Sequence, residues 1–240
     1  MGRASVTPEL HLTTLFELAA DGRIVSTREP GASRGPLFSL VRGATSNAWA
    51  VRADVAEDVA GAIDSLARRE PPAADLRSPP AHAQRYEALL LPTLPAGAAI
   101  RSSGSQAFAF PAAIPAPAGT VVVVDEALLQ RHFPNWVAGE LATGRAPLAA
   151  VCEDGYPVSI CFCARSSDAA AEAGVETAVA FRGRGYAARA TAAWALAVRS
   201  SGRIPLYSTH WTNGASLAVA RQLGLRAYAS GWSVSERNTP

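Results

Sequence analysis

Val175-Glu-Thr-Ala-Val-Ala-Phe181-Arg-Gly-Arg-Gly-Tyr-Ala187 is the stretch on which the reading of this chain turns. An apolar run suited to a strand passes directly into a glycine-rich turn, and the turn opens a long helical pattern over residues 186–199. A helix begun in this way carries backbone N–H groups without intrahelical partners at the positive end of its dipole. Such a turn binds anions, phosphate above all. Gly183 and Gly185 let the backbone approach a ligand with no Cβ in the way, and Arg182 and Arg184 can add charge-assisted hydrogen bonds. The plainer alternative is an ordinary strand-to-helix turn with solvated arginines.

Working outward, residues 172–179 form the strand that feeds the turn. After the helix come a strand over 204–209, a helix over 213–223 and a strand over 227–234. Before it, the valine run 121–124 predicts a buried strand, Asp125 a cap for a helix holding Leu128, Leu129 and Phe133, and 135–141 a short helix. Residues 148–152 and 158–164 read as strands around the turn 153–157. The second half thus runs β-α-α-β-β-β-α-β-α-β. The first half predicts a hairpin of residues 10–19 with 23–27 about Asp21-Gly22, and a second of 37–42 with 48–53. Asp54 and Glu57 make a capping-box-like start for a helix bearing Val55, Val59, Ile63 and Leu66, and 80–90 suggests a short helix. Residues 92–117 are rich in Pro, Gly, Ser and Ala and read as loop and seam. The expected division is therefore 1–112, a smaller α+β domain, and 113–240.

Two phosphate motifs compete for the turn. Gly183-x-Gly185-x-x-Ala188 fits the dinucleotide fingerprint, which also needs an acid at the end of the next strand. That strand, Ile204 to His210, ends without one, and too few α-β pairs follow. Read as Arg182-x-x-Gly185-x-Ala187, the segment resembles the pyrophosphate loop of the GNAT superfamily of acyl-CoA-dependent N-acyltransferases. Tyr207-Ser-Thr-His-Trp-Thr-Asn213, with Leu223-Gly-Leu225 beyond it, is similar to the family's second signature, an Asn opening a helix that a Leu-Gly turn closes. The resemblance covers about residues 120–234. It implies an α+β fold, a mixed, mostly antiparallel central sheet flanked by helices.

The resemblance further implies acetyl-CoA as co-substrate and an acetyl group passed directly from the thioester to an amine. Backbone groups near Thr177, Ala178 and Val179 are then expected to hold pantetheine. The loop around Arg182, Gly183, Arg184, Gly185, Tyr186, Ala187 and Ala188 would hold the pyrophosphate, with Asn213 and Ser216 beside the cofactor. A base is required to deprotonate the amine. Glu172 and Glu176, an even offset apart on a strand, share one face; Glu176, expected nearer the thioester, is favoured over Glu172. The family's Tyr, four residues before the Gly of the Leu-Gly turn, is replaced by Ala220. His210 is then a candidate for the acid, beside Tyr207, Ser208 and Ser216. A non-catalytic acyl-CoA-binding module is the alternative function.

Composition narrows the rest. The 240 residues are 49% apolar, which excludes disorder as the main state, and net charge is +2 from 22 basic and 20 acidic residues. All the basic residues are Arg, so any phosphate contact from a basic side chain uses a planar guanidinium fork. The near-balance of charge speaks against nucleic acid as partner, and no apolar stretch has the length of a membrane span. Cys152, Cys161 and Cys163 have no zinc-site spacing and are expected as free, buried thiols, with no metal site. A cytoplasmic protein acting on a small-molecule or peptide amine is expected, with a homodimer open to it.

Overall fold

The computed structural model describes residues 6–123 and 125–237; Val124, assigned above to a strand, lies outside the described residues. Its elements are α1 (Pro8–Leu15), β1 (Phe16–Leu18), β2 (Ile24–Thr27), β3 (Phe38–Gly43), β4 (Asn47–Val51), α2 (Glu57–Ala67), α3 (Ala83–Leu90), β5 (Ala99–Ala109), β6 (Thr120–Val122), β7 (Ala149–Glu153), β8 (Tyr156–Ser166), β9 (Ala170–Thr177), α4 (Tyr186–Ser200), β10 (Ile204–His210), α5 (Gly214–Gln222) and β11 (Arg226–Arg237). Nine strands form one sheet in the order β4-β3-β11-β5-β10-β9-β8-β7-β6. Among its strands as described, β9 and β10 make the single parallel pairing; the rest are antiparallel. The fold is the mixed, mostly antiparallel α+β sheet flanked by helices that the sequence predicts.

Helices cover both faces. α4 is built largely of alanine, which lets it lie close to the sheet, and buries Trp194 against Val151, Val158, Cys161 and Cys163. α5 packs Leu217 and Ala220 on Phe108 and Tyr207. Gly224, at φ 63°, ends α5, and the Leu225 N–H returns to the Ala220 carbonyl at 2.9 Å. Ala107, adjacent to Phe108 on β5 and so on the opposite face, meets Leu12 of α1. α1 therefore covers the face away from α4 and α5.

Several local expectations give way to tertiary context. Residues 10–15 belong to a helix rather than a hairpin strand: Thr7 caps it by accepting from the Leu10 N–H at 3.2 Å, and Pro8 occupies its first turn. The presumed loop over 92–117 contains the eleven-residue strand β5, inserted between β11 and β10 and antiparallel to both. Hydrogen bonds on both edges hold a Gly/Ser/Ala-rich strand that has little propensity of its own. The sheet consequently runs across residue 112 without a break in its order. The valine run is an edge strand, with Val121 and Val122 about half exposed, not a buried one. Residues 135–140 are turns and irregular backbone instead of a helix. Asp54 pairs with Arg52 at 2.6 Å and leaves α2 without a side-chain cap.

Candidate active site

The site begins where β9 and β10 part. Their pairing stops at Leu206↔Glu172, yet β9 continues to Thr177 and β10 to His210. Five residues of β9 therefore face a gap instead of a neighbour strand. Just past β9 the Ala178 N–H donates to Val158 O on the β8 side at 2.9 Å. Because backbone groups alternate between the two edges, those of Ala173, Val175 and Thr177 point toward the gap. An extended ligand arm can pair with them as a strand would. Of the expected pantetheine contacts, Thr177 meets that requirement, while its carbonyl accepts from Arg182 Nε at 3.1 Å. Ala178 has its N–H engaged by β8, and Val179 lies in a 3-10 turn, three-quarters exposed.

The glycine loop follows. Gly183 and Gly185 adopt left-handed φ values of 77° and 74°, and Gly185 is the uncapped residue before α4. A Cβ at Gly183 would meet nothing within 4 Å, so conformation, not crowding, calls for glycine there. The first-turn N–H groups of α4 are free of any side-chain cap and open to an anion. Tyr186 donates its hydroxyl to Glu153, which anchors the loop to the β7–β8 turn. Arg184 lies over the Phe181 ring with its guanidinium 5.3 Å from the centroid. Ala187 is half-buried and Ala188 buried within the first turn of α4. These features fit a pyrophosphate.

The two carboxylates separate in environment. The bulge beside them belongs to β8, near Ala164, so β9 keeps its alternation and Glu172 and Glu176 share the face opposite α4. Glu176 is exposed, and among the described residues its carboxylate makes no hydrogen bond or ion pair. Glu172 is buried at the point where the strands part. It accepts from the Ser208 hydroxyl of β10, lies 3.5 Å from the Arg165 guanidinium of β8 and stands 3.8 Å from His11 Nε2 of α1. His11 Nδ1 in turn is 2.5 Å from the Tyr228 hydroxyl of β11. Burial drives the His11 pKa down and the Tyr228 phenol up.

His210 is exposed at the end of β10 and contacts the Thr212 hydroxyl at 2.8 Å. It stays apart from the Glu172 group. Asn213 caps α5, its Oδ1 accepting from the Ser216 N–H at 3.1 Å. Ser216 also offers its carbonyl to the Tyr207 hydroxyl at 3.1 Å. Ala220 is buried on Phe108 and Tyr207. Tyr207 is the first residue of β10 past the last pair with β9, and burial pushes its phenol up to about 12.

Sequence reasoning missed Ala173 and Val175, because strand direction toward a neighbour is invisible until the neighbour is known. It also missed His11, Arg165 and Tyr228. Thr7-Pro8-Glu9 was the available signal for α1, a cap residue followed by a first-turn proline and an acid. Nothing local would pair His11 with a residue 161 positions away. Cys161 and Cys163 are buried free thiols, and Cys152 is half-buried. Among the described residues no helix is long and apolar enough to cross a membrane.

Residues 149–229 match the GNAT acetyltransferase family model. A GCN5-related N-acetyltransferase-like protein from Streptococcus suis has a similar structure, with TM-score 0.50 and 16% identity over 85% of each chain. A protein of the GNAT family from Novosphingobium aromaticivorans aligns over 60% of this chain and 70% of its own, at 22% identity and TM-score 0.47. The curated proteins give no match. The matched segment holds β7 to β10, the glycine loop, α4 and α5 and enters β11.

Proposed function

From a chain that belongs to the GNAT superfamily through residues 149–229, whose family and fold support acyl transfer, we propose an N-acetyltransferase that uses acetyl-CoA and a small-molecule or peptide amine. The observation that carries this reading is the gap between β9 and β10, leading to the uncapped start of α4. The loop N–H groups from Gly183 to Ala188 would take the pyrophosphate, and the inner edge of β9 at Ala173, Val175 and Thr177 the pantetheine arm. A thioester at the closed end of the gap would then lie beside Glu172. Asn213 orders the start of α5 and Ser216 next to the arm.

We assign Glu172 rather than Glu176 to accept the ammonium proton. Glu172 is fixed by Ser208 and Arg165 at the parting of the strands, whereas Glu176 is exposed and, among the described residues, has no hydrogen bond or ion pair to hold its carboxylate. The neutral amine attacks the carbonyl carbon, the C–S bond breaks, and a proton passes to the leaving thiolate. Tyr207 stands at the helix side of the opening with a phenol that keeps its proton at neutral pH, and we assign it as donor. The part up to residue 112 contributes α1 to the face where the amine would enter, so it would help to select the acceptor.

Thiol release from acetyl-CoA with a panel of primary amines tests the proposal: turnover with at least one amine is expected, together with thermal stabilisation by CoA. The burial of Ala220 where relatives of this superfamily carry a phenol favours one second reading, a non-catalytic acyl-CoA-binding module. Stabilisation by CoA with no thiol release from any amine would establish that reading instead.

A further inference from the structure

α1 lies outside the segment that matches the GNAT acetyltransferase family, yet it delivers a buried imidazole to the carboxylate assigned above as base. We propose that His11 is a positioning residue, locked by Tyr228 in the tautomer that directs its Nε2–H at Glu172, so that the N-terminal helix sets the orientation and proton occupancy of that carboxylate. The inference rests on the reading of Glu172 as base and goes beyond it by making α1 part of the machinery.

The geometry requires a definite arrangement of protons. The His11 and Glu172 side chains are about 4% and 5% exposed, so both depend on their protein partners for polar contacts. Burial keeps His11 neutral near pH 7, opposed by Glu172 and assisted by Arg165. A neutral imidazole has one donor and one acceptor nitrogen. Among the described residues Tyr228 Oη has no acceptor other than His11 Nδ1, at 2.5 Å. The phenol, which burial leaves protonated, therefore donates to Nδ1. That leaves the imidazole proton on Nε2, facing Glu172 Oε1 at 3.8 Å.

The other groups around Glu172 complete its surroundings. Ser208 of β10 donates to Oε1, and Arg165 of β8 faces Oε2. Arg165 is shared with Glu29, after β2, at 2.9 Å, so its charge is divided between two carboxylates. At 3.8 Å the His11 contact is longer than a hydrogen bond, so the Nε2–H acts on the carboxylate as a directed dipole. A donor aimed at a carboxylate favours its ionised form. Removing it is expected to move the acid limb of activity to higher pH.

Three variants and one spectrum test this. His11→Asn is expected to lower kcat about tenfold and to raise the acid limb of the kcat profile by about one pH unit, with the KM for acetyl-CoA unchanged. His11→Gln, whose amide N–H reaches the Nε2 position, is expected to restore most of the profile. Nitrogen-15 NMR of the wild-type histidines is expected to show one buried imidazole as the Nε2–H tautomer, and Tyr228→Phe to release it. If Glu172→Gln loses turnover while His11→Asn keeps the wild-type pH profile, the inference is overturned and the assignment of Glu172 stands. A buried Nδ1–H tautomer overturns it as well, even where a variant fails to fold. Full turnover in Glu172→Gln removes the assignment itself, and the inference with it.

Discussion

At the scale of single residues, the site depends on protons held by burial. His11 has its pKa lowered from 6.5, chiefly by desolvation. A histidine whose folded value lies below its unfolded one binds fewer protons when folded in the interval between them. Its contribution to stability is therefore complete above about pH 6.5 and is lost as pH falls toward the folded value. The wild-type melting temperature is expected to drop between pH 7 and pH 5, and His11→Gln to flatten that drop; calorimetry across this range checks it. Tyr207 presents the opposite case, a phenol held protonated and aimed at Ser216 O. Tyr207→Phe is expected to reduce kcat by about 10- to 100-fold with little change in KM, in keeping with the loss of a general acid. Equal kcat values in single-turnover experiments would exclude the phenol as donor.

Among the elements, the uncapped start of α4 is where the proposed cofactor contact rests on backbone geometry. Gly185 has φ 74°, and a Cβ there would stand 3.4 Å from Gln222 Nε2. Gly185→Glu adds bulk and negative charge where the pyrophosphate is expected, besides an αL strain of about 1–2 kcal/mol. CoA affinity is expected to fall more than 100-fold while circular dichroism stays native. Titration calorimetry with CoA measures the first and thermal melts the second, and unchanged affinity would move the pyrophosphate elsewhere. The turn was legible in the sequence because glycine spacing and a following helical period are local properties. α1 is less legible, because eight residues with two adjacent threonines carry weak periodicity and Thr7-Pro8-Glu9 is its one local signal.

For the whole molecule, β5 is decisive. It supplies partners to β10 and β11 along their lengths, from Ser105↔His210 to Ala109↔Leu206 on one side and from Ala99↔Arg237 to Ala109↔Arg226 on the other. A fragment of residues 113–240 would leave both strands with open edges and the apolar partners of Ala107 and Phe108 uncovered. That fragment is expected to be unfolded or aggregated, whereas one beginning before β5 has the strand it needs. Chromatography and amide dispersion of the two fragments distinguish a separable C-terminal domain from a sheet built by both parts of the chain.

The sequence by itself determined the family resemblance, the glycine turn that opens α4 and the succession from β7 to β11, because these rest on short-range periodicity, glycine placement and caps. It also offered two carboxylates on one face, Glu172 and Glu176, as candidate bases. Only the tertiary structure distinguished a buried Glu172 from an exposed Glu176, turned a supposed linker into β5, and brought His11 and Tyr228 together. Those outcomes depend on which strands become neighbours and on how much water a side chain loses. Neither quantity is encoded within the span of one helix or strand.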